Sequence, residues 1–249
     1  MNRSERKWGL NALSLKLLAM GLMLCDHLWA TVIPDSGWLT DLGRMAFPIF
    51  AFQVVEGYFE TSSFRGYLKR MFLFALISEI PYNLMTGGSI YNPFGQNVLF
   101  TFCIGLLLIR LLEKAKAKNP VVNLLTAVGA AGLGYVLGTI SFCDYYGGGV
   151  LTVLLFYVCR GKKWGPLALI PGLLYLNTDV MGSLMYEAHL FGYSFFIYQQ
   201  AYAVLALIPI YLYNGRQGPH SPWIRLGCYL FYPVHMLILS LIWLYGLGA

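Results

Sequence analysis

The sequence has few charged residues for its length. Only 11% of its 249 residues are Asp, Glu, Lys or Arg, whereas 58% are hydrophobic. A soluble domain carries roughly a quarter charged residues, so this chain has too few to cover a water-facing surface. Apolar runs of about twenty residues, the length that crosses a bilayer, recur along the whole chain. The composition excludes an ordinary soluble enzyme and predicts a multi-pass membrane protein.

Other features are also missing. The five cysteines form no CxxC pair and most lie within apolar runs, so neither a disulfide framework nor a zinc site is indicated. The first apolar run begins after basic residues, as a signal peptide does. It is too long and has no small-x-small cleavage site, so we interpret it as an uncleaved helix. The net charge of +6 is spread over short clusters between the apolar runs, which argues against nucleic acid as a partner.

The apolar runs predict an all-α polytopic helical bundle that forms a single domain over residues 1–249. Pro, Gly and Asn punctuate the linkers between the runs. A shorter apolar stretch at about 180–192 is interpreted as a loop or a re-entrant segment. The nine predicted spans are approximately 11–33, 43–59, 67–85, 98–112, 121–140, 148–160, 164–178, 193–213 and 226–247.

The basic residues predict the orientation of the bundle. If the amino terminus is cytoplasmic, Arg44 alone of the seventeen Lys and Arg residues falls at an outer end of a span. Cytoplasmic loops of membrane proteins carry an excess of Lys and Arg. We therefore expect a cytoplasmic amino terminus and an external carboxy terminus, with membrane lipid around the bundle.

Several ionisable residues lie where the predicted spans should be apolar. Each costs about 2.5–3.5 kcal/mol at the centre of a bilayer, and such residues usually face a polar interior. We expect them to share one water-accessible chamber, bounded on the outer side by Arg44 and Asp144. The ionisable residues within the spans are Asp26, His27, Glu56, Glu79 and His235.

Lys16 precedes His27 by eleven residues, which is almost three helical turns, so both lie on one helix face roughly 16 Å apart. This length is comparable with the pantetheine arm of coenzyme A. Many Lys/His pairs share the spacing, and Lys16 could equally be an interfacial lysine that reaches towards water. Asp26 points about 100° away from His27, so a residue of another helix, such as Arg44, is its more suitable partner. His235 follows Pro233 in the last span and could bring a second imidazole into the chamber.

Several unusual motifs occur in order along the chain. Together they resemble the TraX family of bacterial membrane proteins, whose namesake is implicated in acetylating the amino terminus of conjugative pilin. That family in turn resembles the acyltransferase-three membrane proteins, which carry a basic residue, ten intervening positions and a histidine in their first helix, as Lys16 and His27 do. Their Arg-x-x-Arg motif is absent here. The motifs are "CDH", "GRMAFPIFAFQVVEGYF", "FALISEIP", "QNVLFT", "CDYYGGG", "YNGRQG" and "FYPVH".

The resemblance implies a protein of the bacterial cytoplasmic (inner) membrane that transfers an acetyl group from acetyl-CoA to a peptide, a pilin-like protein or a glycan. No metal is expected, because the sequence separation of His27, His235 and the carboxylates gives no ligand signature. His27 would be the general base, since its unperturbed pKa lies near neutrality. Arg44 or Tyr145 would stabilise the oxyanion and Glu79 would bind an acceptor ammonium. The expected catalytic group is His27, Asp26, Arg44 and Glu79. The expected acetyl-CoA-binding group is Lys16, Glu56, Arg65, Lys69 and Arg70. The expected acceptor-binding group is Asn97, Asp144, Tyr145 and His235.

Two other functions remain open at this point. Asp, Glu and His within a membrane also form proton relays, so a proton-coupled transporter is the main alternative. Many transporters contain paired repeats with matching broken helices, and no repeat is visible in this sequence. A structural partner in a secretion complex is a third possibility, but it would leave the polar cluster without a role.

Overall fold

The computed structural model describes residues 8–182, 184–190, 193–219 and 221–247, and most of them are helical. The longer helices coincide with predicted apolar runs, and two of them continue as a π-helical turn, Leu176–Val180 after α8 and Trp243–Leu247 after α10. The α-helices are α1 (Ala12–Thr31), α2 (Gly37–Gly43), α3 (Ala46–Glu60), α4 (Phe64–Gly87), α5 (Val98–Ala115), α6 (Pro120–Ile140), α7 (Tyr146–Cys159), α8 (Gly165–Tyr175), α9 (Leu207–Tyr211) and α10 (Pro222–Ile242).

A polytopic helical bundle fits these elements. Three segments in the described part of the chain are long and apolar enough to cross a membrane, namely Ala12–Thr31, Pro120–Ile140 and Pro222–Gly246. The apolar helix α7 is shorter. The helical fold expected from the sequence is confirmed, whereas the count of nine spans and the orientation stay predictions.

One predicted span is wrong. The run 193–213 is not one helix: it begins as a strand, continues as a 3₁₀-helix (Gln199–Ala206) and ends in the short α9. Its strand β2 (Tyr193–Tyr198) pairs antiparallel with β1 (Met185–Leu190), in the stretch expected to be a loop or re-entrant segment. Aromatic residues favour strands, and a short apolar run cannot be assigned to helix or strand by periodicity alone.

The base of the hairpin is attached to α2 by side chains. Tyr186 Oη donates to Asp41 Oδ1 at 3.3 Å, and Gln199 Nε2 donates to the same oxygen at 3.1 Å. Gln199 Nε2 also donates to Tyr186 Oη at 2.7 Å. The hairpin therefore lies at the end of the bundle where α1 ends and α2 begins.

Small residues allow α6 and α7 to approach closely. A Cβ atom built on Gly138 would lie 2.7 Å from the carbonyl oxygen of Tyr146, and one built on Gly134 would lie 2.8 Å from methyl groups of Leu108 and Val150. This spacing of four is the small-xxx-small pattern by which helices pack in membranes. On its other side α7 packs against α3 and α5, and these three helices form the centre of the bundle around Val150.

Candidate functional site

Two histidines from opposite ends of the chain meet inside the bundle. His27 Nδ1 lies 2.7 Å from His235 Nε2, and the two rings are parallel to within 7°. His27 comes from α1 and His235 from α10, almost three helical turns after Arg225. The ring of Phe231, one turn earlier on α10, stacks on His235 with 4.6 Å between centroids. The sequence expectation of a second imidazole beside His27 agrees with this geometry.

The contacts of this pair define which nitrogen of each neutral ring carries the proton. His235 Nδ1 lies 2.6 Å from the carbonyl oxygen of Phe231, which can only accept, so this nitrogen is the donor. His235 Nε2 is then the acceptor, and His27 Nδ1 must donate to it. The lone pair of His27 therefore resides on Nε2, which has no hydrogen-bond partner among the described residues. An imidazole in this state can act as a base.

Asp26 points away from the histidine pair and binds α2. It forms an ion pair with Arg44, and Thr40 Oγ1 donates to Asp26 Oδ1 at 2.7 Å. Arg44 Nη2 also donates to Thr40 Oγ1 at 2.8 Å. Gly43 makes this contact possible, because a Cβ at that position would lie 2.4 Å from the Cβ of Asp26. The expected pairing of Asp26 with Arg44 is thus present, and it joins α1 to α2.

The Arg44 side chain continues into a chain of buried amides. Arg44 Nη1 donates to Gln200 Oε1 at 3.2 Å, and Gln200 Nε2 donates to Asn177 Oδ1 at 3.1 Å. Asn177 Nδ2 in turn donates to the carbonyl oxygen of Leu173 at 2.8 Å. Hydrogen bonds from several directions fix the Arg44 guanidinium in position. A fixed guanidinium suits either a structural ion pair or the stabilisation of developing negative charge.

Asp144 and Tyr145 lie in a tight turn between α6 and α7. Phe142, Tyr145 and Tyr146 all have positive φ angles (52°, 62° and 46°), which non-glycine residues rarely adopt. The surrounding structure holds this turn: Asp144 N donates to the carbonyl oxygen of Gln96 at 2.8 Å, and Thr101 Oγ1 donates to that of Asp144 at 2.7 Å. Such strained backbone is typical of functional sites.

This turn also faces the Arg44 cluster. The ring of Tyr145 stacks on Phe47 with 4.1 Å between centroids. Burial raises the pKa of the Asp144 carboxyl to about 7, the nearby Arg44 guanidinium opposes the rise, and the Asp26 carboxylate adds to it. Asp144 therefore shares one electrostatic environment with Asp26 and Arg44.

The three glycines after Tyr146 form no flexible opening beside Asp144 and Tyr145. Gly147, Gly148 and Gly149 form the first turn of α7 and are buried. A Cβ on Gly148 would lie 2.4 Å from Met181, and one on Gly149 would lie 2.8 Å from Tyr145. Their role is close packing, because each has another element directly against its backbone.

Glu79 and Asn97 form a second polar pair, between α4 and the start of α5. Asn97 Nδ2 donates to Glu79 Oε2 at 2.6 Å and to the carbonyl oxygen of Ala75 at 2.8 Å. Asn97 Oδ1 caps α5 by accepting from Leu99 N at 3.1 Å. The other carboxylate oxygen, Glu79 Oε1, is buried and has no partner among the described residues. An acceptor-only atom in this state is suited to a donor from a ligand.

A wide cavity of about 660 Å³ opens where α1 and α10 begin and α3 ends. Its lining includes three cationic side chains, Lys16, Arg70 and Arg225, which form no ion pair with the described residues. Glu56 also lines it, but this carboxylate binds Arg160, with Nε to Oε1 at 2.8 Å and Nη2 to Oε2 at 3.3 Å. Glu56 is thus neutralised by the protein itself.

A narrower cavity of about 150 Å³ continues from the wide one into the bundle. Lys16, Gln53 and Tyr67 line both cavities, so they lie at the junction. The narrow cavity follows the α1 face of Lys16, Met20 and Met23 and reaches Phe231 and Tyr232 on α10. His27 is the next residue on that face of α1, and Phe231 stacks on His235. The cavities therefore lead from a cationic mouth to Phe231, whose ring stacks on His235, and the two histidines themselves are not among the lining residues.

Two of the predicted acetyl-CoA-binding residues lie elsewhere. Arg65 and Lys69 line a separate groove between α4 and α5, whereas Arg70 faces the cavity of Lys16. All three belong to the acetyl-CoA-binding group expected from the sequence. At 100° per residue, however, positions 65 and 69 share a face that position 70 does not.

Sequence reasoning also missed residues that complete the site. Arg225 belongs to no motif, yet its spacing of three before Cys228, which lines both cavities, places it on the cavity face of α10. Gln200, Thr40 and Arg160 are joined to the expected residues only by the tertiary fold. No local motif marked them.

Comparison with known proteins identifies the family. Residues 12–243 match the family model described as TraX protein. The chain belongs to the TraX family. It is 26% identical over 250 residues to the probable fimbrial assembly protein FimC, serogroup H1, of Dichelobacter nodosus, an alignment that covers 94% of this chain and 96% of that protein. No solved structure matches the chain.

The match to TraX confirms the family that the sequence motifs indicated. Because it spans 12–243, it includes the histidine pair, the ion pair of α1 with α2, and both cavities. The further relationship to the acyltransferase-three proteins remains a prediction.

Proposed function

We propose that this TraX-family protein is an integral-membrane acyltransferase of the bacterial cytoplasmic membrane. It would move an acetyl group from cytoplasmic acetyl-CoA to an amine or hydroxyl of a pilin-like protein, another peptide or a glycan, as part of pilus or fimbrial assembly. The relative of D. nodosus is named for fimbrial assembly. The observation that carries the proposal is the pair of joined cavities, which lead from Lys16 along α1 to the ring of Phe231 beside His235.

The shape and charge of these cavities fit coenzyme A. The wide cavity has room for a nucleotide, and Lys16, Arg70 and Arg225 would neutralise its phosphates. The narrow cavity is mostly apolar, and its volume of about 150 Å³ would take part of an extended chain such as pantetheine. Gln53 Oε1, at the junction, is buried without a partner among the described residues, and a pantetheine amide N–H would satisfy it. With the amino terminus in the cytoplasm, the cationic mouth opens to the cytoplasmic pool of acetyl-CoA.

The chemistry follows from the tautomer of His27. His27 Nε2 takes a proton from the acceptor amine or hydroxyl as that atom attacks the thioester carbonyl carbon. A tetrahedral oxyanion forms, the C–S bond breaks, and the thiolate of coenzyme A leaves and takes up the proton. His235 accepts from His27 Nδ1–H and keeps the basic nitrogen directed towards the acceptor. An acceptor ammonium would lose its first proton before the attack, and Glu79 Oε1 is the free carboxylate oxygen available for that ammonium.

Arg44 is the residue proposed to stabilise the oxyanion. Its guanidinium is oriented by Asp26, Thr40 and Gln200, so it needs little rearrangement when negative charge develops. Tyr145 would contribute from the strained turn beside it. Asp144 and Asn97 would line the path of the acceptor at this end of the bundle.

The experiment uses the purified full-length protein in detergent. Coenzyme A should raise its melting temperature, since a ligand that binds only the folded state stabilises it. Radiolabelled acetyl-CoA should label an acceptor when the protein is incubated with membranes of its host. The variant His27→Ala should lose the labelling by about 100-fold or more while it keeps the coenzyme A effect.

The matched control is His189→Ala, because His189 is an exposed histidine of the hairpin, 69% accessible and far from α1 in the chain. It should label the acceptor as the unmodified protein does. Absence of any coenzyme A effect, together with solute uptake driven by a pH gradient, would instead identify a proton-coupled transporter.

A further inference from the structure

The groove between α4 and α5 is a second site, and it is independent of the cavities described above. On α4 the residues Arg65, Leu68, Lys69 and Phe72 recur at intervals of three and four, so they form one face of the helix. The cavity residues Tyr67 and Arg70 lie on another face of α4. The two sites are therefore separated by the helix itself.

The opposite wall of the groove is mostly apolar, and Gln96 and Ser141 are the uncharged polar residues in its lining. On α5 the residues Phe100, Ile104 and Leu107 also recur at helical intervals and face α4. The groove encloses about 660 Å³, and its sides are open: Phe72 is 48% exposed and Leu107 is 47% exposed. In a bundle that crosses a membrane, exposed apolar side chains in mid-helix face the hydrocarbon, so the acyl chains of lipids have direct access to this groove.

The charge of the groove lies at one end. Arg65 and Lys69 are one helical turn apart at the start of α4, and neither forms an ion pair with the described residues. Next to these two cations, the groove is lined by the apolar side chains of Leu68 and Phe72 on α4 and Leu107 on α5. The site thus combines two cations, which form no ion pair with the described residues, with an adjoining apolar channel. Such a site is complementary to a lipid that has a phosphate headgroup and an acyl chain.

We propose that the α4–α5 groove binds an anionic phospholipid. The lipid phosphate would contact Arg65 and Lys69, and an acyl chain would lie between Phe72 on α4 and Leu107 on α5. By the orientation predicted from basic residues, the start of α4 is cytoplasmic, so the lipid would come from the inner leaflet. Anionic headgroups are attracted to Lys and Arg at that surface.

Native mass spectrometry of the full-length protein tests this inference. The detergent-purified protein is mixed with phosphatidylglycerol or with phosphatidylcholine of the same acyl chains, and the bound fraction is measured. Phosphatidylglycerol should be retained in preference. The double variant Arg65→Gln/Lys69→Gln should lower its apparent affinity about tenfold, to the level of phosphatidylcholine.

The matched control is Lys162→Gln/Lys163→Gln, which removes the same charge from the exposed loop between α7 and α8 and should leave lipid retention unchanged. A third variant, Leu107→Trp, fills the groove from its exposed side and should reduce retention of both lipids. The melting temperature of each lipid-free variant shows whether it is folded. If the double variant is not, Lys69→Gln alone replaces it.

Two results would overturn the proposal. The first is equal retention of phosphatidylglycerol and phosphatidylcholine by the unmodified protein, which would mean that the headgroup charge is not recognised. The second is an equal loss of phosphatidylglycerol in the groove variants and in the Lys162/Lys163 control, which would mean that net charge alone attracts the lipid. Neither result depends on whether the protein binds coenzyme A.

Discussion

His27 and His235 are 208 residues apart in the sequence, yet their imidazole nitrogens lie 2.7 Å apart. The carbonyl oxygen of Phe231 orients His235, and His235 orients His27. In the proposed acetyl transfer, this order of contacts would give His235 a positioning role rather than direct contact with the reacting atoms.

The first prediction concerns this relay. The variant His235→Ala removes the acceptor for His27 Nδ1–H, so the base can adopt the wrong tautomer, and acetyl transfer should fall by about 10- to 100-fold. The variant His235→Gln offers a carbonyl oxygen near the position of Nε2 and should recover part of that loss. The measurement is the rate of label transfer from acetyl-CoA as a function of pH. Equal rates for His235→Ala and the unmodified protein would refute the positioning role.

A second prediction concerns the ion pair of α1 with α2. The side chains of Asp26 and Arg44 are only 19% and 17% exposed to solvent. Removing one partner therefore leaves a largely buried charge. Asp26→Asn or Arg44→Gln alone should lower the free energy of unfolding by about 2–3 kcal/mol. The double variant should lose less than the sum of the two, because no charge is then left unpaired. Thermal unfolding of all four proteins in detergent completes the cycle, and strict additivity would show that the two side chains do not interact.

A third prediction separates the cations of the cavity from those of the groove. Lys16→Gln or Arg70→Gln should weaken binding of coenzyme A by about 5- to 10-fold, since each removes one charge from the proposed phosphate site. Arg65→Gln and Lys69→Gln should have no such effect, because these side chains lie on another face of α4. The rise in melting temperature at a series of coenzyme A concentrations measures each affinity. Loss of binding in the groove variants would instead support the grouping inferred from the sequence alone.

The fourth prediction concerns the packing of α6 on α7. Gly138→Ala places a Cβ 2.7 Å from the carbonyl oxygen of Tyr146, a backbone atom that cannot move aside easily. We expect a loss of about 1–3 kcal/mol in the free energy of unfolding. Gly129→Ala is the control on the same helix. It has nothing within 4 Å of the new Cβ, and the higher helix propensity of alanine should leave stability unchanged or raise it by up to about 1 kcal/mol. Similar losses in both variants would contradict close helix contact at Gly138.

The fifth prediction concerns pH. The pKa of Asp144 is raised from 3.8 to about 7 in the folded protein, so between these values the unfolded chain releases a proton that the folded protein retains. Stability therefore falls as pH rises through this window. Asp144→Asn removes the effect and keeps an oxygen that can accept from Tyr145 N. Its melting temperature should exceed that of the unmodified protein at pH 8, and the difference should vanish near pH 4. A difference independent of pH would refute the raised pKa.

Much of the helical framework could be predicted from residues alone. Apolar runs of membrane length lead directly to α1, α6 and α10, because burial of apolar side chains and internal backbone hydrogen bonds leave few other structures for such runs. The hairpin at 185–198 was missed, since its aromatic residues make it as apolar as a helix and a short run has no distinctive period.

The candidate site shows the same division. Spacing along the chain is enough to place Lys16 and His27 on one face of α1, because helix geometry is local. Asp26, Glu79 and His235 are likewise recognisable from the sequence as polar residues in apolar surroundings. Three relationships depend on the packed bundle: His235 binds His27, Arg160 neutralises Glu56, and Arg65 and Lys69 lie apart from Arg70. These relationships depend on how distant helices are rotated and packed against one another, which no spacing within a single helix specifies.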